Sequence, residues 1–541
     1  MKIQIRHGLV YDGENHEGRA ADILIKDGRI AAIAPRTGTS GGMPLAEDAV
    51  IIDAAGCVVT PGFIDIHRHC DVAPFARPDF GKLELAQGIT TAIAGNCGFA
   101  PVPTSPAWRK EAYSYMEPVT GPVPEGMEFT SYSDYTDALE RCPLPINMGF
   151  LVGAGAVRTA VKGFAKTPVS PGELERMVAF VREGLQAGAY GISFGLMYQP
   201  ECWSAFEDLV ALARPVSQAG GLLCAHIRCE GGSLLDSVRE IIDIAGRAGV
   251  RLNISHFKAT GLRNWGGGIY RAIELIERAA DGVPSRAPDV TADFYPYTSG
   301  STSLLSLVPP TMLKENMTEL YKELGTKAGK ERLRSELGRE HSGWDNMAAS
   351  IGWERILVSS SALAEHGRLL GKNLTEAADL AGYENPADLA ADLIAGGGNV
   401  GIILMSMCQA DVDAVARLPY TALISDSLYS VTEHPHPRLY GAFPKFLREY
   451  VFERKVCSFG QAIQKMTAMP AKRLGLKDRG RLLAGCRADV LVFDPRAFTD
   501  CADFTAARPA ENMKFVILNG EVVWRGALLE GRAGKLLKRG W

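Results

Sequence analysis

No stretch of the 541 residues approaches the ~18 apolar residues of a membrane span, and Met1-Lys-Ile-Gln-Ile-Arg lacks the apolar run of a secretory signal. A cytoplasmic protein with no membrane partner is the expectation. Neither sign of charge dominates, and a formal net charge of −4 gives no electrostatic reason to expect nucleic acid. A disulfide framework is missing too: the eleven cysteines are odd in number and scattered, which suits a reducing compartment where a special cysteine serves chemistry. There is no internal repeat and no low-complexity tract, and the short basic stretch Arg532–Arg539 reads as a solvated end. What is there is ordinary globular composition, 46% hydrophobic and 22% charged, in a chain longer than one core usually serves.

The two ends read as short strands. Ile3-Gln-Ile-Arg, Ala21-Asp-Ile-Leu-Ile and Ile30-Ala-Ala-Ile are separated by turn pairs such as Asp27-Gly28. Ala488–Asp494 and Val516–Val523 repeat the pattern, with Asn519-Gly520 as a hairpin signal. Neither end is large enough for a core alone, so residues 1–60 and 474–541 are expected to share one small β-sandwich. Between them strand and helix alternate. Candidate strands are Phe63–His67, Thr91–Gly95, Asn147–Val152, Gly191–Gly195, Leu222–His226, Arg251–His256, Thr291–Tyr295 and Thr421–Asp426, with helical stretches at Pro171–Leu185, Ala205–Ser217, Ser233–Ala248 and Ile269–Ala280. That order predicts an α/β fold, a (β/α)8 barrel over residues 61–473. The seventh interval is too long for one crossover, so residues 301–355 are expected to form an insertion over the barrel mouth.

His67 and His69 end the first strand two residues apart and can present both imidazoles to one metal. Cys97, His226, His256 and Asp426 stand at the ends of four further strands. In a barrel those ends converge on one mouth, so six ligand-type side chains become neighbours. A metal site is the reading; for each histidine alone, a hydrogen-bonded buried residue is the ordinary one. Beside a cation Asp426 stays ionised and can act as general base.

Pro61–His69, Gly88–Gly98, His226-Ile-Arg-Cys-Glu230, Ile254–Lys258, Tyr295–Ser301 and His436-Pro-Arg438 resemble the D-aminoacylase (N-acyl-D-amino-acid deacylase) branch of the amidohydrolase superfamily, nearly end to end. The resemblance implies a tightly held zinc on Cys97, His226 and His256, and a second, weaker position lined by His67, His69 and Asp426. It implies cleavage of the amide of N-acyl-D-amino acids by a metal-bound hydroxide, with Asp426 as general acid/base. Lys258 is expected to meet the substrate carboxylate, and Tyr198, Tyr297 and Ser301 look like the family's substrate-contacting positions. Arg228 and Glu230 are expected to pair with each other behind the site. Arg68 and Cys70 around the HxH, Met197 before Tyr198 and Ser427 after Asp426 depart from the family pattern; they bear on side-chain specificity more than on reaction type.

Other readings stay open at this stage. Hydrolysis of a cyclic amide or carbamoyl group, as in hydantoinases, would favour a carbamylated lysine, which Gly191–Gly195 lacks. Cys97 argues against deamination, and Asp426 against a zinc protein without catalysis. Gly191-Ile-Ser193-Phe-Gly195 satisfies the serine-hydrolase pattern, and Gly153-Ala-Gly155-Ala-Val-Arg158 resembles a dinucleotide loop with arginine at its third glycine position. Cys57, Cys142, Cys202, Cys224, Cys408, Cys457, Cys486 and Cys501 read as small buried hydrophobes. The preferred side chain, the acyl group and the oligomeric state are not legible.

Overall fold

Eight short strands follow one another through the middle of the chain: β1 Phe63–Asp65, β2 Ile89–Ala94, β3 Asn147–Phe150 with its continuation Val152–Gly153, β4 Gly191–Gly195, β5 Leu222–His226, β6 Arg251–Ile254, β7 Val290–Phe294 and β8 Thr421–Leu423. The structure is a computed structural model, and it describes all residues except 37–41, 281–288, 340, 342, 398, 431, 433 and 541. Strands β1 to β3 pair in parallel, and the continuation of β3 pairs with β4, from which the parallel order runs on to β8. The last seam closes where Asp426 N donates to His67 O at 3.0 Å and Ser425 N donates to the Asp65 carboxylate at 3.2 Å. This is the (β/α)8 barrel expected from the alternation.

Sequence explains why these segments extend. β5 is Leu-Leu-Cys-Ala-His, buried at every position, as a strand covered on both faces must be. The intervening helices are amphipathic and punctuated. Helix Pro171–Gln186 starts on a capping box, in which Ser170 Oγ accepts from Glu173 N and Glu173 returns the bond to Ser170 N at 2.8 Å. Helix Leu234–Ala248 ends on Gly249 in the left-handed conformation.

Both chain ends enter one eight-stranded sheet. Val58–Pro61 pairs antiparallel with Val490–Phe493, joining the N-terminal strands Lys2–Val10, Arg19–Lys26, Arg29–Pro35 and Ala49–Asp53 to the C-terminal Met513–Leu518 and Glu521–Arg525. At Asp27-Gly28 and Asn519-Gly520 both central residues have positive φ, the backbone a two-residue hairpin requires. Ile3, Ile23, Val59, Val490 and Ile517 form the small core of this β-domain.

The insertion between β7 and β8 is longer than the sequence suggested. It holds a three-stranded antiparallel sheet, with Gly401–Leu404 between Gly300–Ser303 and Ile356–Ser360, under helices Met317–Leu324, Lys327–Leu337, Leu374–Ala381 and Pro386–Ala395. Its own core includes Leu304, Leu320, Ile356, Leu374 and Ile402, so its packing continues past residue 355 to about 404. Cys57, Cys224 and Cys486 are buried as expected, whereas Cys142, Cys202, Cys408, Cys457 and Cys501 are partly exposed. Among the described residues no helix is long and apolar enough to cross a membrane.

Candidate metal centre and active site

Chain direction brings the strand-end residues together at one mouth. Cys97 Sγ lies 3.2 Å from His67 Nε2 and 3.5 Å from His256 Nε2. His67 and His69 each place Nε2 within 3.4 and 3.3 Å of Asp426 Oδ1. Among the described residues two buried groups have potential ligand atoms mutually within 4.8 Å: His67, His69 and Cys97, and Cys97, His226 and His256. Cys97 belongs to both. Cys97, His256 and Asp426 have φ of +52°, +35° and +50°, a conformation costly for any residue with a Cβ. Three such residues directly after strand ends mean that the surrounding fold imposes the positions of these side chains.

That surrounding explains the serine of the Gly-x-Ser-x-Gly segment. Ser193 Oγ donates to Gly95 O at 2.5 Å and accepts from Gly98 N at 3.0 Å, so it braces the loop bearing Cys97. The Gly153–Arg158 segment has the same service. A Cβ at Gly153 or Gly155 would stand 2.6 or 2.8 Å from Gly98 O, so these glycines let the Cys97 loop approach.

Burial holds His226 and His256 well below the usual histidine range, neutral and with lone pairs free to coordinate. Burial also disfavours a charged His67, but the facing Cys97, Asp293 and Asp426 outweigh it and push that ring well up. Burial pushes the Cys97 thiol above its ordinary value against the pull of His67. Among the described residues both buried ring nitrogens of His226 and Nδ1 of His69 have no hydrogen-bond partner, while Nδ1 of His67 has only Asp293 at 3.7 Å. Stranded buried ring nitrogens cost free energy unless something fills them. One thiolate with two neutral imidazoles is a donor set that suits zinc and leaves a coordination position open. The residues fit a metal ion.

Asp426 is buried, which alone would raise its pKa. Arg438, at 2.7 Å from Asp426 Oδ2, together with His67 and the His69 hydrogen bond, holds it well below the ordinary range. Arg438 stood in the sequence only as part of His436-Pro-Arg438, with no charge pattern to mark it as a site residue. Lys258 Nζ lies 2.5 Å from Glu230 Oε1 and 2.7 Å from His256 Nδ1. Glu230 therefore faces Lys258 and His256, and Arg228 instead pairs with Glu240 at 2.9 Å, a correction to the expected Arg228–Glu230 pair. Arg228 points away because Glu240, on the helix after β5, lies closer.

A cavity opens on these groups, lined by His69, Cys97, His226, His256, Asp426, Arg438, Lys258, Tyr198 and Ser301. Tyr295 lines it as well, but Tyr297 does not. The Tyr297 ring packs on His436 at 5.1 Å and under Lys445, on the far side of the loop. Both tyrosines lie beyond the end of β7, where strand alternation no longer holds, and the turn there gives them different neighbours.

The chain matches the amidohydrolase family over residues 50–293 and 421–524, and the break between these blocks coincides with the insertion. It is 31% identical to D-aminoacylase of Alcaligenes xylosoxydans xylosoxydans over 98% of this chain and 96% of that one. It is also 31% identical to N-acyl-D-glutamate deacylase of the same organism, covering 100% and 97%. The structure of N-acyl-D-glutamate deacylase from Bordetella bronchiseptica, complexed with zinc and a phosphonate inhibitor, superposes with a TM-score of 0.82 at 29% identity over 99% of both chains. Family match, end-to-end identity and fold together make this chain a member of the amidohydrolase family, in its D-aminoacylase branch.

Proposed function

We propose that the protein hydrolyses the amide bond of N-acyl-D-amino acids, releasing a carboxylate and a free D-amino acid, with zinc held by Cys97, His226 and His256. The observation that carries this reading is the donor set around Cys97, with the stranded nitrogens of His226, opposite a buried Asp426–Arg438 pair in one cavity. His67, His69 and Asp426 offer a second, weaker position that shares Cys97. A bound zinc supplies acidification of water and polarisation of a carbonyl oxygen.

The chain's own residues do the rest. Asp426, kept ionised, is placed to take a proton from the attacking water and hand it to the departing amine nitrogen. Lys258 and Arg438 both lie against the Tyr295 ring, at 5.8 and 4.8 Å from its centre. They bring two cations to one side of the cavity, where an α-carboxylate is received. Tyr198, whose hydroxyl bonds Thr302 Oγ1 at 3.3 Å, and Ser301 present polar groups beside it. The insertion closes the cavity over these groups and limits water.

A panel of N-acetyl-D- and N-acetyl-L-amino acids, scored by amine release, tests the reading. Release from D-configured substrates is expected. Release only from cyclic or carbamoyl substrates would replace it with the hydantoinase-like alternative.

A further inference from the structure

We infer that the amino acid this enzyme releases carries a neutral, apolar side chain, which packs on Met347 and Leu404 of the insertion, and that acyl-D-aspartates and acyl-D-glutamates are excluded. The inference rests on the proposed deacylase reaction and concerns which members of that substrate class the pocket admits. Similarity does not decide it, since D-aminoacylase and N-acyl-D-glutamate deacylase are each 31% identical to this chain.

The charges of the pocket do decide it. Among the described lining residues the only lysine or arginine side chains are Lys258 and Arg438. Each already faces a buried carboxylate, Glu230 at 2.5 Å and Asp426 at 2.7 Å. Both converge on the Tyr295 ring and so serve one point, where the α-carboxylate common to every acyl-amino acid is received. A second carboxylate, on the side chain of aspartate or glutamate, would need a further cation. Burying it without one is costly.

The same pair sets where the side chain goes. Arg438 also donates to Ser301 O at 3.4 Å, which puts the carboxylate end beside the first strand of the insertion. The side chain hangs from the carbon that bears the carboxylate, so it meets the insertion too. The apolar part of the wall there is Met347 and Leu404, 3% and 5% exposed, and Thr260, Thr302 and Ser406 add hydroxyls but no charge. Met347 is fixed above the Lys258 side because Asp345 accepts from Glu230 N at 2.5 Å and from Gly231 N at 2.9 Å. The acyl group, across the scissile bond, is left the second apolar wall of Phe99, Val119 and Leu428.

The test compares N-acetyl-D-leucine and N-acetyl-D-methionine with N-acetyl-D-aspartate and N-acetyl-D-glutamate on the zinc-loaded protein. Calorimetric binding of the same four compounds to the Asp426→Asn variant separates recognition from turnover. Leucine and methionine derivatives should exceed the acidic pair by ~10²-fold in kcat/KM and bind more tightly. Met347→Lys should narrow that gap and Met347→Leu should leave it. Acidic substrates cleaved and bound as well as apolar ones would overturn the inference and leave the deacylase reading standing. If none of the four is cleaved or bound, the deacylase reading falls and takes this inference with it.

Discussion

The Arg438 guanidinium lies 2.7 Å from Asp426 Oδ2, and both groups are buried in the wall of the substrate cavity. Arg438 thus serves two neighbours, the proposed base and the proposed carboxylate. Arg438→Met should lower kcat/KM for acyl-D-amino acids by ~10²-fold or more, since truncating one partner of a buried charge pair leaves the other unpaired. The matching neutral acyl-amino-acid amides should lose less. Equal losses on acids and amides, in steady-state assays, would show that Arg438 acts on Asp426 alone.

Asp426→Asn keeps the shape of the side chain and removes its basicity. Turnover should fall by ~10²–10⁴-fold while metal analysis still finds zinc on Cys97, His226 and His256. Near-normal turnover would require a different base.

Ser193 braces the Cys97 loop with two buried hydrogen bonds, to Gly95 O and from Gly98 N. Ser193→Ala should weaken metal retention, measured by competition with a chelator, by the ~1–3 kcal/mol of an unsatisfied buried amide. A complete loss of activity with unchanged metal affinity would instead revive Ser193 as a nucleophile.

Arg68 sits between the two histidines of the HxH pair, yet it turns away from the cavity. Fully buried, it donates to Tyr429 Oη at 2.6 Å, Glu84 at 2.7 Å, Ser425 Oγ at 3.0 Å and Asp65 at 3.3 Å. It ties β1 to the loop that carries Asp426. Arg68→Met should cost about 3–5 kcal/mol of stability, read by denaturant unfolding, because Asp65 and Glu84 remain buried without their cation. A change below 1 kcal/mol would mean that those carboxyls find other partners.

How far the sequence could be read depended on whether a signal was local. Seven of the eight barrel strands stand within two residues of their expected bounds, and the eighth ends at Leu423 rather than Asp426, because each is a short buried run ending in a turn. His67, His69, Cys97, His226, His256 and Asp426 could be singled out because a barrel gathers strand ends, wherever they lie in the chain. Tyr297 was named from the family resemblance, and that Tyr295 rather than Tyr297 lines the cavity depends on a turn beyond the strand end, where the period of two no longer fixes direction. Arg438 and the Lys258–Glu230 contact depend on tertiary approach and left no mark in spacing. The far boundary of the insertion was missed for a related reason: in its strand Gly401–Leu404, Leu404 pairs with Ile356 and Ile403 with Ser301, 48 and 102 residues earlier.

The central claim is that a metal on the Cys97 set drives deacylation of D-configured substrates. The most direct measurement is amine release from N-acetyl-D-leucine and N-acetyl-L-leucine by protein as purified, after chelation, and after titration with zinc, with Cys97→Ala alongside. The account predicts release from the D compound only, loss on chelation, recovery with about one zinc per chain, and neither zinc nor activity in Cys97→Ala. Undiminished release by metal-free protein, or by Cys97→Ala, would contradict it.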